Sequence, residues 1–240
     1  MRALTDPDRD VRQQAAIDVG TSRHPDAAPV LVACLWTEED FFVRETLVWA
    51  VAHVADAASP LLLAALTEAD ASLRVRALHA LSKIADPATA GPVAALVADP
   101  VPDVAAKARW ALTRIAGPGA APALVALLGS GDSTARNGLT RDLAELGAAA
   151  VPTLVEALTG ADTAARGHAA EVLGFIGPDA RDATADLANA LRDDAQGVRL
   201  AAAMALHDVG GPQAVEALAA HTDDPDPRLA AIARRALTRA

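Results

Sequence analysis

The sequence predicts an all-α protein, an α-solenoid of about eight two-helix repeats of about 31 residues, spanning 1–240 as a single domain. Three observations predict it. One segment recurs at near-constant spacing, each copy has helical periodicity, and prolines mark the starts of a second helix series. The recurrence is plainest where VAAKARWALTRIAG, residues 104–117, returns as LAAIARRALTRA at 229–240.

An aliphatic or small anchor heads each copy, at Val11, Val43, Leu73, Val104, Ala135, Ala165, Val198 and Leu229, with successive spacings of 32, 30, 31, 31, 30, 33 and 31. Counting the anchor as position 0, apolar residues fall at 0, 4, 8 and 11, as in Leu73, Ala77, Leu81 and Ile84. That is one stripe of a 3.6-residue helix. Position 8 reads Val19, Val51, Leu81, Leu112, Leu143, Leu173, Leu206 and Leu237. A second apolar helix precedes most copies and opens on Pro29, Pro60, Pro92, Pro122, Pro152 or Pro212, with Ala185 in the remaining unit. Proline at a first helical turn loses no needed hydrogen bond. Gly117, Gly147, Gly177 and Gly210 follow anchored helices as C-terminal stops. Neither helix of a pair buries its face alone, so stacked copies must share a core. The first unit has only Met1–Leu4 where its first helix should be, which predicts a thin cap over Val11, Ala15 and Val19. The last helix carries Arg228, Arg234, Arg235 and Arg239, as a solvated end would.

Composition agrees. The chain is 52% hydrophobic, mostly Ala, Leu and Val, with no Tyr and only three Trp and three Phe. A net charge of −10 argues against general affinity for nucleic acid or anionic membrane. Cys34 is the only cysteine, so an intramolecular disulfide and a cysteine zinc site are excluded. Its apolar setting, PVLVACLW, predicts a buried thiol. The N-terminus lacks a signal-peptide core, and no apolar run reaches membrane-spanning length. A cytoplasmic protein is the expectation.

The pattern Asp-x-x-Val-Arg-x-x-Ala-Ala-x-x-Leu-Gly, present as DRDVRQQAAIDVG and DFFVRETLVWAVA, resembles HEAT repeats, of the short-period kind found in phycobilisome-lyase-type proteins. The resemblance covers essentially the whole chain and implies a binding scaffold. It also implies a ladder between units. Arg at position 1 (Arg12, Arg44, Arg74, Arg136, Arg166, Arg199) would pair with Asp three residues before the anchor (Asp8, Asp40, Asp70, Asp132, Asp162, Asp226).

Positions 3, 6 and 10 form a different face, which the HEAT resemblance places on the concave surface. In units two to five they hold Thr46, Trp49, His53; Arg76, His79, Lys83; Lys107, Trp110, Arg114; and Gly138, Arg141, Glu145. Both lysines and two of three tryptophans of a chain with 31 acids and 21 bases are gathered here. Trp49, His53, Arg76, His79, Lys83, Lys107, Trp110, Arg114 and Arg141 are therefore the candidate ligand-binding residues. Arginine and tryptophan together are the pairing enriched at binding hot spots. Units six to eight present His168, Glu171, Phe175; Ala201, Met204, Asp208; and Ile232, Arg235, Arg239, a mixed face.

Catalytic constellations are sparse. HEAT-type deoxyhypusine hydroxylases hold two irons on repeated His-Glu dipeptides, and the sequence has none. His168 and Glu171 at i, i+3 could supply two metal ligands but read as a solvated pair. HEAT-like alkyl-base DNA glycosylases need a carboxylate near a concave tryptophan, whereas Arg114 follows Trp110 and His53 follows Trp49. The reading is a non-catalytic scaffold or adaptor for a protein or peptide, expected to be acidic, without cofactor, metal or membrane. The alternatives are such a glycosylase or nucleic-acid binder, and an accessory subunit of a lyase or modifying enzyme.

Overall fold

The computed structural model describes residues 2–238, so Met1 and Arg239, singled out above, lie outside the described residues. Among the described residues there are fifteen α-helices with short 3-10 turns before and between them, and no strand. They group into two compact units, Met1–Ala116 and Gly117–Ala240.

The first unit contains α1 (Arg9–Ser22), α2 (Ala28–Thr37), α3 (Phe41–Ala52), α4 (Ala55–Ala65), α5 (Ala71–Ile84), α6 (Ala90–Ala94) and α7 (Pro102–Ala116). The odd-numbered helices carry the anchors. They pack in sequence, α1 on α3, α3 on α5 and α5 on α7, and α2 packs on α4 in a second layer. The second unit repeats this with α8 (Ala121–Val125), α9 (Ser133–Glu145), α10 (Val151–Leu158), α11 (Thr163–Ile176), α12 (Thr184–Ala190), α13 (Gln196–Val209), α14 (Pro212–Ala219) and α15 (Pro227–Leu237). There α9, α11, α13 and α15 form one layer and α8, α10, α12 and α14 the other.

The position-8 stripe is the core from Val51 through Leu206, where every member is buried. At its far end Leu237 departs from the stripe at 43% exposed, whereas the half-buried Val19 agrees with the thin cap predicted at the other end. Val11 is likewise 39% exposed, while Leu4, in a 3-10 turn over Arg2–Thr5, is buried against α1. Cys34 is buried, and desolvation pushes its thiol pKa up. Close helix approach rests on small residues. A Cβ at Gly174 would come 2.9 Å from the Ala205 backbone, so only glycine lets α11 and α13 meet there.

One local rule needs correction. Pro60 does not open its helix: α4 begins at Ala55 and carries Pro60 inside. The glycine stops hold, since Gly117, Gly147, Gly177 and Gly210 all have positive φ, and Arg23 and Ala85 adopt positive φ after α1 and α5 without glycine.

The ladder is also built differently. Asp8, Asp40, Asp70, Asp132, Asp162 and Asp226 are N-caps, their carboxylates accepting N–H bonds from the first turn of their own helix. For three of the position-1 arginines the partner is instead an acid five residues before the next anchor, whereas Arg44 and Arg199 donate to backbone carbonyls and Arg136 lies 3.5 Å from Glu171. Arg12 binds Glu38 at 2.7 Å, Arg74 binds Asp99 at 3.2 Å and Arg166 binds Asp193 at 2.7 Å. The same arginines donate to carbonyls of the turn before their own helix: Asp6 and Pro7, Glu68 and Ala69, Gly160 and Ala161. Each thus ties two successive turns together. The Arg12 hydrogen bond holds the Glu38 carboxyl below its ordinary pKa, as Arg166 does for Asp193.

Candidate functional site

The odd layer of the first unit carries a groove of about 730 Å³ lined by Arg44 of α3, Ser72, Val75 and Arg76 of α5, and Asp103, Lys107 and Trp110 of α7. A smaller compartment of about 210 Å³ shares Arg44, Val75, Arg76 and Lys107 with it and adds Leu35, Phe41, Glu45, Val48 and His79.

Position 3 of the anchored helix governs this surface. In α3, α5 and α11 its side chain turns toward the preceding repeat rather than freely to solvent. In α3, Thr46 accepts a hydrogen bond from Gln13 of α1 at 3.2 Å. In α5, Arg76 donates to the carbonyls of Leu35 and Glu38, at 2.6 and 2.8 Å, where α2 ends. Those are orphan carbonyls of a helix C-terminus, and a guanidinium satisfies them well. In α11, His168 reaches the backbone N–H of Gly129 at 3.2 Å and the Thr140 hydroxyl at 2.9 Å. Arg76 is therefore tied to backbone oxygens while it lines the groove, and the expected solvated His168–Glu171 pair does not exist. His168 is 0% exposed and Glu171 instead lies 3.5 Å from Arg136. Among the described residues no group of three or more potential metal ligands occurs.

Lys107 occupies the same position in α7 and differs. Its ammonium makes no hydrogen bond or ion pair among the described residues; it lies 4.3 Å from the centroid of the Trp110 ring. Desolvation lowers its pKa, Glu45 raises it, and Lys83 lowers it further. Arg114, one turn beyond Trp110, places its guanidinium 5.3 Å from the same ring. His79 stacks on Trp110 with centroids 5.8 Å apart and planes 17° from parallel. Its Nε2 lies 2.8 Å from Glu45 Oε1, while Nδ1 is buried without a partner among the described residues. Burial lowers the His79 pKa; Glu45 opposes this and Lys107 reinforces it. A neutral imidazole donating from Nε2 to Glu45 suits that setting.

The candidate residues thus divide. His79, Lys107, Trp110 and Arg114 meet in one cluster, with Lys83 near enough to repel the Lys107 charge. Trp49 and His53 make a separate pair, their rings 4.1 Å apart. Trp49 covers Gly20, where an added Cβ would strike the indole at 2.6 Å, so that tryptophan also packs α3 on α1. Arg141 is exposed on α9 and belongs to the second unit. Phe41, Arg44 and Glu45 were missed. Glu45 sits at position 2, outside the 3-6-10 face, and the ladder reading had already absorbed Arg44. Phe41 could have been found as an aromatic directly after the N-cap Asp40.

Two layers of paired helices repeated at about 31 residues define a helical-repeat scaffold. The sequence model for HEAT repeats matches residues 1–73, 58–144 and 151–238, and the chain belongs to the HEAT-repeat family. Human deoxyhypusine hydroxylase in complex with glycerol is similar at 24% identity, covering 99% of this chain and 93% of that one, with a TM-score of 0.41. The CpcE–CpcF phycocyanin lyase complex of a Nostoc species is similar at 20% identity, 99% and 92% coverage, and a TM-score of 0.41. Kap95p, from a complex with RanGDP, aligns at 14% identity over 95% of this chain and 38% of its own, with a TM-score of 0.55. No curated protein sequence matches. Among the described residues no single helix is long and apolar enough to cross a membrane.

Proposed function

We propose that this HEAT-repeat protein is a non-catalytic scaffold that holds an acidic protein or peptide in the groove of its first unit. One observation carries the reading. Lys107, a half-buried residue, occupies the position at which Thr46, Arg76 and His168 bond to the preceding repeat, yet its ammonium has no such partner among the described residues. A cation partly removed from water gains from a carboxylate that comes to it. Nearby acids do not fill that role: Glu45 is engaged by His79, and Asp103 stands in the first turn of α7. Trp110, flanked by Lys107 and Arg114, offers the rigid aromatic surface that anchors interfaces.

The test is fluorescence anisotropy with a labelled, glutamate-rich peptide across a salt series. Wild type should bind, with affinity falling as salt rises. Lys107→Gln and Arg114→Gln should each weaken binding, and Arg235→Gln should not. Equal binding by all three variants would remove the reading. Tighter binding to a short DNA duplex than to the peptide would replace it with a nucleic-acid interface.

A further inference from the structure

The two compartments of the groove differ in what they accept. The smaller has an apolar floor of Leu35 and Val48, both buried, with Val75 beside them and Phe41 at its rim, 59% exposed. Arg44 holds its guanidinium 5.8 Å from the Phe41 ring while donating to the carbonyls of Glu38 and Glu39. That cation and Arg76 are therefore committed to backbone oxygens. Glu45 also lines this compartment, and its charge disfavours a second carboxylate there. The larger compartment lacks Glu45 and has Lys107 and Trp110 on its α7 wall. Since Lys107 borders both, a ligand entering the small space with one side chain has its next residues beside the uncommitted ammonium.

We propose that the groove reads a pair of side chains on one peptide, a branched aliphatic residue seated between Phe41, Val48 and Val75, followed directly by carboxylates at Lys107. This rests on the acidic-partner reading above and adds the apolar requirement. An exposed phenylalanine over a buried aliphatic floor would bury apolar area only when such a side chain arrives. The carboxylate alone would gain one charge-assisted bond against the entropy of ordering a peptide.

Three labelled hexapeptides, blocked at both ends, test it. The first is glycine–glycine–leucine–glutamate–glutamate–glycine. The second replaces leucine by alanine, and the third replaces both glutamates by glutamine. Anisotropy should show the first binding about tenfold or more tighter than either of the others. Phe41→Ala should bring the leucine and alanine peptides to similar affinity while keeping the preference for glutamate. Lys107→Gln should erase the glutamate preference and keep that for leucine. Both side chains lie at the groove rather than in the core, and unchanged melting curves would show the variants folded. Equal binding of the leucine and alanine peptides to wild type would overturn the paired reader and leave the acidic reading standing. Equal binding of the glutamate and glutamine peptides would overturn both. Absence of binding by the first peptide at millimolar concentration would also overturn the paired reader.

Discussion

His168 in the second unit is a buried polar group, whereas the His79–Lys107 cluster in the first is half-buried, and the two differ in how completely their polar atoms are partnered. His168 is sealed and saturated. Gly129 donates its N–H to Nδ1, so that nitrogen carries a lone pair. Nε2 then bears the proton and donates to Thr140, whose hydroxyl donates onward to the Arg136 carbonyl. Burial, aided by the Arg136 charge, pushes the His168 pKa down to about 4, and every polar atom of the ring has a partner. At the groove, His79 leaves Nδ1 without a partner and Lys107 leaves its whole ammonium so. Both stand beside open volume and an aromatic ring. Satisfaction alone does not separate the two, since Arg74 keeps a buried Nε without a partner inside its rung; what distinguishes the groove is polar atoms without partners beside open volume, where the proposed ligand would meet them.

The sharpest way to break this contrast is His168→Ala. It leaves Gly129 N–H unpartnered and opens a cavity, and should cost about 3 kcal/mol in denaturant unfolding. A loss comparable to that of an exposed substitution would mean the ring is not part of the frame. Acid should act through the same residue. The unfolded chain protonates this imidazole near pH 6.5, whereas the folded chain resists until about 4. Stability contributed by the neutral ring is present above pH 6.5, erodes as pH falls, and is gone below about pH 4. The total is about 3 kcal/mol, and His168→Gln should flatten that part of the pH profile. Unaltered pH dependence in the variant would contradict the assignment.

Arg76→Glu comes next in size. It strips the carbonyls of Leu35 and Glu38 of their donor and places a carboxylate against them, so a loss of about 2 kcal/mol is expected. A neutral outcome would return Arg76 to the binding face that its position in the repeat suggested. Trp110→Ala should cut affinity for an acidic peptide by about 2 kcal/mol if the indole anchors the ligand, read by the same anisotropy assay. Lys107→Gln should be the mildest for folding, within about 0.5 kcal/mol, because no native hydrogen bond is lost.

Repeats, helix pairs and the central core were legible in the sequence because the anchor and the 0-4-8-11 stripe depend on one helix at a time. What was not legible depended on a neighbour. Asp70 and Arg74 recur at fixed offsets and suggest a pair, but the offset cannot tell an N-cap from a cross-repeat ligand; Asp70 caps α5 and Arg74 reaches Asp99. Position 3 looked solvent-facing by periodicity alone, and only packing against the previous repeat shows Arg76 reaching the end of α2. His168 was obscured for the same reason, its partners lying 39 and 28 residues earlier. His79, Lys107, Trp110 and Arg114 all hold 3-6-10 positions on two adjacent odd-numbered helices, so periodicity alone puts them on one face, whereas Trp49 and His53, expected in the same groove, form a separate pair.

The central claim is that Lys107 is a partly desolvated cation without an oxygen partner, and its own titration tests this most directly. The chain has only two lysines, so replacing Lys83 with arginine leaves a single side-chain amine to follow by nitrogen NMR. Titrated alone, the Lys107 amine should lose its proton below the ordinary lysine value of about 10.4. Saturation with a glutamate-containing peptide should raise that midpoint, because a carboxylate at the ammonium favours the charged form. A midpoint at the ordinary value, unmoved by the peptide, would contradict the account.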